Sequence, residues 1–74
     1  MKTYVEVFVS ADGEKASVIT ERFLEMGLKP SIGEHDFTYT WKDNVTLSEV
    51  LKFVDSIQSK LKGSGAILKF FTIR

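Results

Sequence analysis

The chain has one histidine, His35, and it stands between two acids, Glu34 and Asp36. A histidine beside carboxylates is the raw material of a metal chelate or an acid–base pair, so geometry decides what it can do. In an extended segment successive side chains point to opposite faces. His35 then shares a face with Phe37, Tyr39 and Trp41, while Glu34 and Asp36 go with Thr38 and Thr40. The imidazole and its neighbours point apart, and a turn at Gly33-Glu34 only loosens the arrangement. With no cysteine and no second histidine, no metal site is expected. Nothing holds Ser10 or Asp36 near His35, so a Ser-His-Asp arrangement is not expected either. Gly63-Ser64-Gly65 follows a helix and precedes a strand, the reverse of the order that aims helix-start amides at a phosphate, and it reads as a turn. The chain is expected not to be an enzyme and to carry no cofactor.

The elements that must position these residues are legible from periodicity. Residues 3 to 10, TYVEVFVS, alternate with Val5, Val7 and Val9 on one face and Tyr4, Glu6 and Phe8 on the other, as a strand does. After the turn signal Ala11-Asp12-Gly13, the apolar positions Ala16, Ile19, Phe23 and Met26 recur at helical spacing, and Gly27 is placed to end the helix. Thr20 and Arg22 fall on its polar side. Leu28 to Ile32 is a short apolar piece whose Pro30 lacks a ladder donor and suits an edge strand. Residues 37 to 42 read as a further strand. Thr46-Leu47-Ser48-Glu49 has the form of a capping box, and Leu47, Val50, Leu51, Val54, Ile57 and Leu61 make a helical stripe with Phe53 beside it. Asn44-Val45-Thr46 is better read as part of that cap than as a glycosylation site. AILKFFTIR closes the sequence as a strand.

Strand, helix, strand, strand, helix, strand is the ferredoxin-like βαββαβ plan, an α+β two-layer sandwich with two helices on one face of an antiparallel sheet. Right-handed crossovers put the first and third strands in the middle and the Pro30 strand at an edge. The 74 residues, 43% hydrophobic and 27% charged, form one domain. Ten basic and ten acidic residues cancel, so no nucleic-acid backbone or anionic membrane is an expected partner. The opening MKTYVEVFVSADGEK has no unbroken apolar run of the kind a signal peptide carries, and the expected location is cytoplasmic.

Only one face of such a sheet is covered by helices. With Val5, Val7 and Val9 inward, Tyr4 and Phe8 face out. Leu68 and Phe70 go inward because the other register would bury Lys69, which leaves Ile67, Phe71 and Ile73 outward. Tyr4, Phe8, Ile67, Phe71 and Ile73 therefore form an apolar patch, expected to be the interface of a homodimer or homotetramer or a platform for a ligand or partner. Phe37 and Tyr39 pack beneath the helices, Trp41 covers the rim of the core with its indole N–H on an acceptor, and Thr38 and Thr40 lie on the open face.

Activities known on this plan need residues that can be checked. A copper or mercury carrier needs CxxC in the first loop, where Ala11-Asp12-Gly13-Glu14 stands, and an acylphosphatase needs an arginine there. An RNA-recognition motif needs stacking aromatics with a basic surround, and FTYTW lacks its K/R-G-F/Y pattern. A weak RNA binder using Tyr4 and Phe8 stays open as a third reading.

Taken in order, YVEVFVS, MGLKPSIG, TLSEVLKFVDSIQSKL and ILKFFTIR resemble the small thiamine-binding YkoF-like family. The resemblance implies ferredoxin-like domains that associate through their sheets and bind thiamine or its hydroxymethylpyrimidine fragment. Gly33 matches that family's glycine and Thr38 its threonine with a one-residue shift, while Thr40-Trp41 stands where the family has an acidic-glycine pair. A heterocycle of this kind wants an aromatic wall, a hydroxyl and a carboxylate, and Phe8, Thr38 and Glu6 supply them on the open face. The alternative is an ACT-like interaction or regulatory module with no dedicated ligand.

Overall fold

Alternation and helical periodicity resolve into six elements in a computed structural model that describes residues 1–31, 33 and 35–73. They are β1 (Lys2–Phe8), α1 (Ala16–Glu25), β2 (Lys29–Pro30), β3 (Phe37–Thr40), α2 (Leu47–Lys60) and β4 (Ile67–Ile73). The sheet is antiparallel with order β2-β3-β1-β4, so β1 and β3 are central and the Pro30 strand is an edge. This is the ferredoxin-like two-layer sandwich. Ile32 and Glu34, read above as the end of the second strand and as a neighbour of His35, lie outside the described residues, as does Arg74.

The core forms where the helical stripes meet the inward parity of the strands. Val5, Ile19, Phe23, Leu28, Phe37, Ile57 and Leu61 are buried together, with Val7, Tyr39, Phe53, Leu68 and Phe70 packed around them. Phe23 stacks on Phe37 with centroids 4.6 Å apart, and Tyr39 meets Phe53 at 4.4 Å. The inward placement of Leu68 and Phe70 follows, because Lys69 between them is exposed.

Thr3 shares the parity of Val5 and is fully buried. Its hydroxyl accepts the Trp41 indole N–H at 2.8 Å and lies 2.9 Å from the Thr72 hydroxyl on the neighbouring strand. A polar residue in a core position is tolerated because its hydrogen-bonding capacity is met. Trp41 also packs edge-on against Tyr39 and Phe53, which closes this rim of the core.

Three expectations are corrected, and a fourth feature is one that periodicity does not reach. The first strand ends at Phe8 rather than Ser10, so Val9 lies beyond it and is exposed instead of packing under the helices. The third strand ends at Thr40 rather than residue 42, although the Trp41 N–H still reaches the Met1 carbonyl at 3.0 Å. The capping box is half formed. The Glu49 amide donates to the Thr46 hydroxyl at 3.2 Å, but the Glu49 carboxylate takes the Thr46 hydroxyl hydrogen, not a backbone N–H. Last, the α2 stripe is wider than the core beneath it. Val50, Ile57 and Leu61, just past the helix end, are buried, while Leu47 and Leu51 are 73% and 53% exposed and overhang the β4 side of the sheet.

Two loops close the end of the molecule away from Trp41. The Glu14 amide donates to the Ser64 carbonyl at 2.9 Å, and Gly13 packs so closely that a Cβ there would stand 2.4 Å from that same oxygen. Ser64 is buried, with its hydroxyl donating to the Leu61 carbonyl and accepting the Ala66 amide. Gly63-Ser64-Gly65 is thus a structural turn, as expected.

Candidate functional site on the open sheet face

The face of the sheet away from the helices is written by strand parity. From β1 it carries Lys2, Tyr4, Glu6 and Phe8, and pairing sets Ile73, Phe71, Lys69 and Ile67 beside them from β4. Thr40 and Thr38 stand opposite Lys2 and Tyr4 from β3. The five residues expected to form the apolar patch are all here. Phe8, Ile67, Phe71 and Ile73 are 50%, 66%, 42% and 56% exposed. Tyr4 is half-buried.

What shields Tyr4 is His35. The imidazole lies over the face with its centroid 4.8 Å from the Tyr4 ring and 5.3 Å from Phe71. Its Nδ1 is 3.2 Å from a Glu6 carboxylate oxygen. That approach does not form a hydrogen bond, so imidazole and carboxylate lie side by side without one. The expectation that His35 shares a face with Phe37, Tyr39 and Trp41 is therefore corrected. Alternation holds only within a strand, and β3 begins at Phe37. Just before it Asp36 bends the chain, giving its own N–H to the Val5 carbonyl at 3.0 Å and taking the Val7 N–H on its carboxylate at 2.8 Å. Asp36 thus continues the β1 ladder just ahead of the first residue of β3, and the bend turns His35 onto the open side.

Glu6, Phe8 and Thr38, the expected ligand-binding residues, are all on this face. They are spread along it. Thr38 is level with Tyr4, whereas Phe8 lies four residues farther along β1, roughly 13 Å at strand rise. A ligand touching both must lie along β1. Glu6 is between them and is engaged by His35, and the Thr38 hydroxyl is buried with no hydrogen-bond partner among the described residues. Lys69, level with Glu6, reaches over the Phe8 ring at 5.7 Å. The centre of the apolar face is thus a polar island of Glu6, His35 and Thr38, walled by Tyr4 and Phe71.

Among the described residues no group of three or more His, Cys, Asp or Glu side chains is placed to hold a metal ion. Nor is any helix long and apolar enough to cross a membrane. Comparison with protein-family models, with curated proteins and with solved structures returned no significant match.

His35 is the site residue that the sequence pattern misplaced. The signal was Asp36, a residue that favours turns, set at the junction of a glycine-started loop and a strand.

Proposed function

We propose that this chain is a non-enzymatic binding module that works as a homo-oligomer, two copies meeting through their open sheet faces and enclosing a small heterocyclic ligand between them. The observation that carries the reading is the exposure of Phe8, Ile67, Phe71 and Ile73 on one continuous face that no helix covers. Apolar patches of this kind mark interaction surfaces, and a domain this small gains stability by burying one. The polar island supports the ligand. A wholly apolar contact would strand the partly exposed Glu6 carboxylate away from water and leave the Thr38 hydroxyl unpartnered, a cost that a ligand bearing an amine and a hydrogen-bonding ring offsets. Tyr4 and Phe71 offer π faces to a flat or cationic ring once His35 moves aside. Thiamine and its hydroxymethylpyrimidine fragment have this chemistry and are the probes of choice.

The test is light-scattering mass together with ¹H–¹⁵N spectra during titration of hydroxymethylpyrimidine and thiamine. An oligomer that Phe8→Glu weakens, and saturable shifts at His35 and Thr38 that Thr38→Val and Glu6→Gln abolish, support the reading. A chain that stays monomeric at millimolar concentration overturns it. The second reading is an ACT-like interaction module, favoured by the way His35 already fills the space above Glu6. In that case the mass result stands, no ligand shift appears, and Thr38→Val strengthens association.

A further inference from the structure

The two edges of the sheet are built differently. The β2 edge is two residues long and consists of Lys29 and Pro30, a charge and a residue without an N–H, which are standard means of keeping a sheet edge from pairing. The β4 edge is seven residues long, ILKFFTI, with no proline, no glycine and one charge. Among the described residues it pairs only with β1, which leaves its outer row of backbone groups to accept a strand. Beside it, on the helix side, a groove of about 410 Å³ runs between α2 and β4, lined by Leu47, Leu51, Val54 and Phe70 among others. Here the α2 stripe overhangs, leaving Leu47 and Leu51 exposed.

We infer that the β4 edge is a second self-association surface, where the β4 strand of another copy adds antiparallel to form a continuous eight-stranded sheet. The occupant is argued from the pattern of β4 itself. The two-fold register that pairs all seven residues is centred on Phe70. It sets Ile67 opposite Ile73 and Lys69 opposite Phe71 on the open face, and Leu68 opposite Thr72 and Phe70 opposite Phe70 on the helix side. The single lysine of each strand meets an aromatic ring and never its own copy, whereas a shift of the centre to residue 69 would oppose like charges. On the helix side the incoming Phe70 falls into the α2 groove, and the partner's α2 approaches with its own Leu47 and Leu51. Strand addition satisfies the backbone and the groove takes the alternate side chains, the two components by which edge recognition gains affinity and specificity. The contact is isologous, as a two-fold dimer requires.

This surface is distinct from the open face, and one set of measurements separates them. Leu47→Glu with Leu51→Glu charges the groove from positions already exposed on the helix, so the fold is retained. Phe8→Glu charges the open face from a central strand. With both surfaces in use, the native chain is a tetramer, either variant is a dimer, and the combination is a monomer by light-scattering mass. Amide exchange gives the independent readout. In the Phe8→Glu dimer all amides from 67 to 73 are slow, including those that the single sheet leaves unpaired. In the Leu47→Glu, Leu51→Glu chain the unpaired set speeds up on the order of tenfold or more. Unpaired β4 amides that exchange at free rates in the oligomer, or a mass indifferent to the groove charges, would overturn the inference. A mass indifferent to Phe8→Glu but sensitive to the groove charges removes the open-face pairing and leaves the edge pairing standing.

Discussion

Replacing Thr3 by Val tests whether the buried hydroxyl on β1 holds Trp41 by a hydrogen bond or merely fills space. Thr3 is fully buried, its hydroxyl oxygen is 2.8 Å from the indole nitrogen and 2.9 Å from the Thr72 hydroxyl. Valine keeps the shape and removes both bonds. Thr72 is exposed and turns to water at little cost. The indole N–H has no such escape on its inner side, and a buried donor left without an acceptor costs about 1–3 kcal/mol. Because Trp41 is only half-buried, the lower part of that range applies, about 1–2 kcal/mol. For a domain of this size 1 kcal/mol moves Tm by roughly 4–8 °C, so the variant should melt roughly 5–15 °C lower. Circular dichroism at one fixed protein concentration is the assay, since self-association makes Tm concentration-dependent. Trp41→Phe and the double variant complete a cycle whose coupling energy isolates the bond. If Thr3→Val melts at or above the native temperature, or if the two changes add to within about 0.3 kcal/mol, the hydrogen bond contributes nothing and ring packing alone seats Trp41.

Other perturbations reach the remaining joints of the fold. Gly13→Ala drives a Cβ to 2.4 Å from the Ser64 carbonyl oxygen, which is backbone and cannot swing away. A loss of about 1–3 kcal/mol is expected in urea unfolding, and an unshifted midpoint would show that the loops separate freely. Asp36→Ala removes the acceptor of the Val7 amide at an exposed position, so stability should fall by about 1 kcal/mol or less while exchange at that one amide accelerates. Exchange as slow as in the native chain would mean that water or a neighbour replaces the carboxylate. Thr46→Ala deletes the hydroxyl that takes the Glu49 amide and should cost about 1 kcal/mol, read as a lower Tm with fraying confined to the first turn of α2.

The order of elements, the two central strands and the outward patch were legible because strand parity and helical spacing are local properties of the chain. Pro30 identified its edge by chemistry alone. His35 was misread because the alternation rule was run back past the strand's first residue, and only the hydrogen bonds of Asp36 to β1 show where β3 begins. Those bonds join residues far apart in sequence, and no local pattern encodes them. Thr3 escaped notice for the opposite reason. It sits at an inward parity position, but a threonine in a strand of valines looks like surface until its partners Trp41 and Thr72 are brought beside it. Leu47 and Leu51 belong to a correctly read stripe, and what periodicity could not supply was how much of that stripe the narrow sheet beneath would cover.

The lock between Gly13 and Ser64 carries a consequence for how the chain reaches this structure. It joins segments about fifty residues apart, so the chain entropy of that closure must be lost before the contact returns anything. The helices and the β1–β3 pairing can form without it. The two loops are therefore expected to meet after the rate-limiting barrier, so that loosening them hastens unfolding and leaves the refolding rate nearly untouched. A chevron plot of Gly13→Ala in which the refolding arm falls as far as the unfolding arm rises would place the lock inside the nucleus instead. With the loops meeting late, kinetic persistence of the folded state, as distinct from the ease of reaching it, rests largely on two small loops at the end of the sandwich away from Trp41.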